Sequence, residues 1–159
     1  MVCLGNICRS PLAEGILQSK SKEFKVDSAG TAGYHIGKQP DVRSIDIAKK
    51  HDIDLTSQRA RQFNTRDFEN FDKIYAMDND NYSKIISLAR NQKDIDKVDL
   101  ILNEIYPNEF QSVPDPYYGG DEGFKKIYSL LEEACEIIAK KYETRYVIIN
   151  PKFARRNKN

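Results

Sequence analysis

The chain has 159 residues, with 25 Lys+Arg against 24 Asp+Glu, a formal charge of +1, three cysteines and no tryptophan. That length fits one domain able to bury a core without disulfides or a structural metal, and the charge balance excludes a large field drawing the whole molecule to nucleic acid or an anionic membrane. No apolar run approaches the ~20 residues of a membrane span, the start has no signal-peptide pattern, and the cysteines fit neither a disulfide framework nor a common zinc spacing, so a reducing, cytoplasmic setting is expected.

Met1 to Leu4 reads as the end of a first strand, short against the usual ~5–6 residues. A helix follows from Ser10-Pro11, a capping residue and a proline pre-set for the first turn, with Leu12, Ile16 and Leu17 on one face. Phe24 to Ser28 reads as the second strand. A second helix opens after Pro40-Asp41 and carries Val42, Ile45 and Ala48. Lys73 to Met77 predicts a third strand, Tyr82, Ile85, Ile86 and Ala89 a third helix, and Val98 to Leu102 a fourth strand. In the last helix Phe124, Ile127, Leu131, Ala134, Cys135 and Ile138 recur at helical spacing. Strands alternating with helices argue for an α/β fold with a parallel sheet. The long polar loops run from Gly30 to Pro40 and from Tyr106 to Glu122. Beyond residue 143 the pattern breaks. Tyr146 to Ile149 is a short apolar piece and Lys152, Arg155, Arg156 and Lys158 make a basic end, read as a packed strand or loop followed by a frayed terminus, with a partner-binding tail as the alternative. The chain divides accordingly into a domain over 1–143 and a C-terminal extension over 144–159.

Two stretches carry chemistry. The first is Cys3-Leu4-Gly5-Asn6-Ile7-Cys8-Arg9-Ser10, where a cysteine closes a strand and an arginine opens a helix. A strand–loop–helix turn aims successive backbone N–H groups into one concavity, and the helix N-terminus adds partial positive charge. The loop amides of Leu4, Gly5, Asn6, Ile7 and Cys8 are therefore candidate phosphate ligands. Gly5 permits close backbone approach, and Asn6 tolerates left-handed dihedrals. Arg9 offers a planar fork matching two phosphate oxygens. Such a cradle favours the thiolate of a cysteine at its centre, which makes Cys3 the candidate nucleophile for in-line attack on phosphorus. Ser10 donates a hydrogen bond to that sulfur, caps the helix, or does both. The second stretch is Asp115-Pro116-Tyr117-Tyr118-Gly119-Gly120. Phosphoryl transfer to sulfur needs an acid for the departing oxygen, a role typically contributing ~10²–10⁴-fold. Asp115, fixed by the following proline, is the candidate, and the same carboxylate can then activate water.

Together these residues resemble the low-molecular-weight protein tyrosine phosphatases over about residues 1 to 141. Cys3 to Pro11 matches the family's phosphate-binding loop and Asp115-Pro116 its general-acid loop. Lesser matches are Asp27-Ser28-Ala29-Gly30-Thr31, Gly37-Lys38-Gln39-Pro40-Asp41-Val42-Arg43, Arg59-Ala60-Arg61-Gln62 and Ala76-Met77-Asp78. The resemblance implies a single α/β domain: a four-stranded parallel sheet in 2-1-3-4 order, helices on both faces, and the phosphate loop between strand 1 and helix 1. It implies a phosphocysteine on Cys3 while Asp115 protonates the leaving phenol, then hydrolysis by water activated by Asp115, with Arg9 and the loop amides holding the phosphate. It implies no metal and no organic cofactor. The implied partners are tyrosine-phosphorylated proteins and a cognate tyrosine kinase, without nucleic acid or membrane, for a monomer or weak dimer. Tyr34 and Tyr117 occupy the places of the family's aromatic pocket walls, with Tyr118 beside them. Such walls sandwich a phenyl ring and deepen the pocket, favouring phosphotyrosine over phosphoserine.

Three alternatives share the fold. Phosphoarginine phosphatases carry threonine where Ile7 stands, and an isoleucine offers only apolar contact. Arsenate reductases need further cysteines for a disulfide relay, and the distant thiol, Cys135, lies on the apolar stripe of the last helix and reads as core. A non-catalytic phosphotyrosine-binding module does not need Cys3 and Asp115 together. Cys8 is either a small apolar filler or a reversible disulfide partner that shields Cys3. His35 reads as a solvated loop residue and His51 as a helix-end residue without chemistry. One departure from the family is plain: members usually have several apolar residues ahead of the position of Val2. Either the central strand is very short or the start lies upstream, and residues added there are expected to stabilise the fold.

Overall fold

The computed structural model describes residues 1–149, so the basic end expected over Lys152 to Lys158 lies outside the described residues. Strand β1 (Val2–Cys3) sits between β2 (Ala29–Gly30) and β3 (Ile74–Ala76), and β4 (Val98–Leu100) pairs beyond β3. All pairings are parallel, in the order β2-β1-β3-β4. Parallel neighbours need crossover connections. These are supplied by α1 (Arg9–Lys20), α2 (Val42–Lys49), α3 (Asp67–Asn70), α4 (Asn79–Leu88) and α5 (Gln92–Asp96), with α6 (Gly120–Ile149) closing the domain.

Strand side chains alternate between the two faces of the sheet. Cys3, Tyr75 and Met77 join Leu12, Ile16, Phe124, Ile127, Leu131 and Cys135 in one core cluster. Val2, Ile74, Ala76, Val98 and Leu100 join Phe63, Phe68 and Ile85 in the other. Both faces are thus covered, as a parallel sheet requires. The stripe of α6 packs along α1, and Cys135 is fully buried within it.

Five local expectations are corrected. The second strand is Ala29–Gly30 rather than Phe24 to Ser28. The register pairs Val2 with Ala29, so in a parallel ladder residues 24–27 would face positions ahead of Met1. The first helix begins at Arg9 with Cys8 as its cap residue; Ser10 lies inside the helix and its hydroxyl turns to Cys3 instead. Val42 is 66% exposed, because the inward face of α2 is made by Ser44, Ile47 and Ala48. The fourth strand stops at Leu100, and Ile101–Glu104 form a 3-10 turn. There the Asp99 carboxylate accepts from the Leu100 N–H and from Asn103, a local alternative to continuing the ladder. Finally, Tyr146 to Ile149 continue helix α6 rather than forming a strand or loop.

Candidate active site

The segment between β1 and α1 is shaped by where its carbonyls go. The Cys3 carbonyl accepts from Thr31 N–H at 2.9 Å, Leu4 from Ala32 at 2.9 Å, and Ile7 from Asp41 at 2.8 Å. The Cys8 carbonyl accepts from the Ser44 hydroxyl at 3.1 Å. Every peptide here is trans, so each N–H points opposite to the carbonyl of its own peptide unit. Carbonyls fastened outward therefore turn the N–H groups of Leu4, Gly5, Cys8 and Arg9 toward the inside of the loop, beside the N-terminus of α1. Backbone N–H groups converging in this way can seat an anion.

The loop is held by side chains as well. Asn6 takes a left-handed conformation, φ 56°, which asparagine tolerates better than most residues. Its side-chain amide donates to Ser10 Oγ at 2.8 Å and Ser28 Oγ at 2.9 Å, and its oxygen accepts from Arg61 N–H at 3.0 Å. Ser28 in turn donates to Glu14 at 2.6 Å, whose carboxyl is pushed up chiefly by burial. Ser10 Oγ lies 3.0 Å from Cys3 Sγ. Because Ser10 already receives the Asn6 N–H, its own proton is available to the sulfur. The wall behind the loop must be glycine: a Cβ on Gly30 would stand 2.7 Å from the Leu4 carbonyl oxygen. At Gly5 a Cβ would fall 2.9 Å from the His35 ring, a contact that a shift of that side chain can relieve.

Arg9 is buried, yet it is the hub of the site. Its Nη1 donates to Asp78 Oδ2 at 2.7 Å and to the Val113 carbonyl at 2.9 Å. Its Nη2 lies 3.7 Å from Asp115 Oδ2. Val113 N–H donates to the Met77 carbonyl at 2.8 Å, so the stem of the Asp115 loop is moored to the end of β3. The Asp115 carboxylate is half exposed and accepts from Tyr117 N–H at 3.1 Å. One guanidinium thus joins the cysteine loop to the acidic loop.

The candidate residues divide by position. Cys3 with Ser10, and Arg9 with Asp115, are in contact or close to it. Leu4 to Cys8 form the loop around them. Tyr34 and Tyr117 stand on the two flanking loops, 73% and 43% exposed, each with a ring beside it, His35 at 6.5 Å and Tyr118 at 5.0 Å between centroids. Cys8 is a free, buried thiol, pushed up to about 12 by burial first and by Asp41 next. His51 stacks on Tyr128 with ring centroids 3.9 Å apart. Among the described residues no cluster of His, Cys, Asp and Glu is arranged to hold a metal ion, and no helix is long and apolar enough to cross a membrane.

Sequence reasoning gives no role to three residues that the geometry singles out. Asp78 both caps α4, accepting from Asn81 N–H at 2.7 Å, and holds Arg9. The Asp at the end of Ala76-Met77-Asp78, just before a helix, is the readable sign of the cap but not of the ion pair. Arg43 reaches the Tyr117 carbonyl at 2.9 Å, and Ser28 links Asn6 to Glu14; neither contact leaves a signal in local sequence.

Comparison with known proteins adds the following. The family described as low molecular weight phosphotyrosine protein phosphatase matches residues 1–146. The low molecular weight phosphotyrosine protein phosphatase of Schizosaccharomyces pombe is 40% identical over 134 residues, covering 80% of this chain and 85% of that protein. Its namesake in Homo sapiens is 37% identical over 146 residues, covering 88% and 92%. The crystal structure of a protein tyrosine phosphatase from Entamoeba histolytica superposes with a TM-score of 0.83 at 38% identity, covering 91% of this chain and 96% of that one.

Proposed function

This chain belongs to the low molecular weight phosphotyrosine protein phosphatase family, whose members are hydrolases, and from that premise we propose that it hydrolyses phosphotyrosine in proteins through a phosphocysteine on Cys3. The phosphate seats in the amide cradle, with the Arg9 Nη2 edge on its oxygens. The Cys3 sulfur attacks phosphorus in line, the bond from phosphorus to the phenolic oxygen breaks, and Asp115 gives that oxygen a proton. Asp115 then takes a proton from water as the water oxygen attacks phosphorus. The S–P bond breaks, the thiolate returns with Ser10 donating to it, and inorganic phosphate leaves. Preorganised amides and a guanidinium stabilise charge on the equatorial oxygens in both steps. Tyr34 and Tyr117 flank the phenyl ring. The observation that carries this reading is the Arg9 hub, which opens the cysteine loop and the Asp115 loop onto one place.

The test is steady-state hydrolysis of a phosphotyrosine peptide beside phosphoserine and phosphoarginine peptides, with reductant and without added metal. The expected result is turnover of phosphotyrosine alone, none with Cys3→Ser, and a loss of roughly 10²–10⁴-fold with Asp115→Asn. Preferential cleavage of phosphoarginine would replace the substrate assignment. Full activity in Cys3→Ser would overturn the mechanism.

A further inference from the structure

Asp115 is lightly held: its carboxylate accepts from Tyr117 N–H at 3.1 Å and lies 3.7 Å from Arg9 Nη2. It stands on a loop, its carboxylate is half exposed, and general-acid catalysis depends on its placement to within fractions of an ångström. Arg9 grips the stem of that loop at Val113. Beyond Asp115 the buried Pro116 anchors the turn, its carbonyl accepting from Gly119 N–H at 2.9 Å, and Arg43 grips the next residue, Tyr117.

The Arg43 guanidinium is itself locked. Its Nε and Nη2 donate to the two carboxylate oxygens of Asp41, each at 3.0 Å. This is the bidentate fork that fixes a guanidinium plane. The remaining Nη1 donates to the Tyr117 carbonyl at 2.9 Å. The guanidinium carbon also stands 5.3 Å from the Tyr117 ring centroid and 4.6 Å from that of Phe124, within cation–π range. Tyr117 is thereby held at two points: its carbonyl by Arg43, and its N–H by the Asp115 carboxylate. At the other end, Asp41 N–H donates to the Ile7 carbonyl and Ser44 Oγ to the Cys8 carbonyl. The first turn of α2 is therefore bolted to the phosphate loop and reaches across to the acid loop.

We propose that Arg43, held by Asp41, is a positioning residue for catalysis: it sets the Asp115 carboxylate and the Tyr117 ring at a fixed distance from the phosphate loop. The proposal rests on the phosphatase reading above. Arg43 does not touch the transferred phosphate; it acts through Tyr117. Its removal frees the Tyr117 carbonyl, lets the Asp115–Tyr117 turn drift, and lowers the fraction of time that the acid faces the leaving oxygen.

The role predicts a leaving-group signature. A positioned acid matters most when the departing phenolate is a strong base and least when it leaves unaided. We would compare kcat/KM of wild type and Arg43→Ala for phenyl phosphate and for an aryl phosphate with a strongly activated nitrophenolate leaving group, each in the Asp115 and Asp115→Asn backgrounds. The expected loss is about 10–100-fold for phenyl phosphate, markedly smaller for the activated ester, and absent when Asp115 is already Asn. Arg43→Lys, which keeps one donor and the charge, should recover part of the rate. Inhibition by inorganic phosphate reports an intact cradle and should be unchanged. Equal losses for both esters, or a full further loss in the Asp115→Asn background, would overturn the positioning role. So would an Arg43→Ala enzyme as active as wild type. If Arg43→Ala loses phosphate inhibition and melts early, the loss is one of folding, and an Arg43→Lys enzyme that folds but shows no leaving-group dependence still overturns the proposal. A wild type inert toward both esters sinks the phosphatase reading itself, an outcome distinct from the others.

Discussion

At the scale of single residues the site is a problem of accounting for donors. Asn6 donates to Ser10 and Ser28, which leaves the Ser28 proton for Glu14 and the Ser10 proton to be shared between the Cys3 sulfur at 3.0 Å and the more distant Ala29 carbonyl at 3.5 Å. The three thiols of the chain are thereby given different fates. Burial pushes both Cys8 and Cys135 up to about 12, so both remain thiols at neutral pH and react poorly with electrophiles. Cys3 lies just ahead of the helix N-terminus, with the Ser10 hydroxyl 3.0 Å from its sulfur. Brief treatment with iodoacetate at neutral pH should place the first label on Cys3, and inorganic phosphate should slow that labelling; peptide mapping that finds Cys8 labelled first would contradict this. Cys3, Arg9 and Asp115, the residues the proposed mechanism uses, are picked out in the sequence by residue type and local pattern, a cysteine and an arginine with five residues between them and an aspartate before a proline. Asp78 and Arg43 are not, because their partners lie far off in the chain: Asp78 meets Arg9 from the end of β3, and Arg43 meets Tyr117 from the start of α2.

At the scale of elements, alternation of strand and helix is readable and yields a parallel α/β sheet, and the apolar stripe of α6 is readable too; the strand order comes from the family resemblance. What is not readable is where pairing begins. Phe24 to Ser28 has the residue types of a strand, yet a strand exists only where a neighbour supplies a ladder. With Val2 in register with Ala29 and Ala76, residues 24–27 lie beside positions ahead of Met1. The terminal amine stands in their place, donating to the Asp27 carbonyl at 3.0 Å, and desolvation lowers its pKa. A groove of about 1050 Å³ opens beside it, lined by Leu17, Phe24, Val26, Phe71 and Ile74 among others. Four or five residues of alternating apolar pattern added ahead of Met1 should lengthen β1, fill that groove and move the amine into water. At roughly 1.5–3 kcal/mol for each large apolar side chain buried, the melting temperature should rise by at least about 5 °C. An unchanged midpoint in differential scanning calorimetry would show that the groove does not accept a strand.

At the scale of the whole molecule, the sheet's role is to bring distant segments to one end. The phosphate loop leaves β1, the Tyr34 loop leaves β2, Asp78 closes β3, and the Asp115 loop is moored to β3 through Val113 and Met77. All of these lie beyond the carboxyl ends of parallel strands, where open α/β sheets bind ligands. The two cores hold that end rigid from both faces. In the proposed mechanism phosphate passes from tyrosine to water by way of the Cys3 sulfur. The most direct measurement is rapid acid quenching of wild type turning over a phosphotyrosine peptide labelled in its phosphate, followed by peptide mapping of the protein-bound label. The expected result is a transient label on the peptide that carries Cys3, absent from Cys3→Ser. Turnover of the substrate with no protein-bound label, or label on another residue, would contradict it.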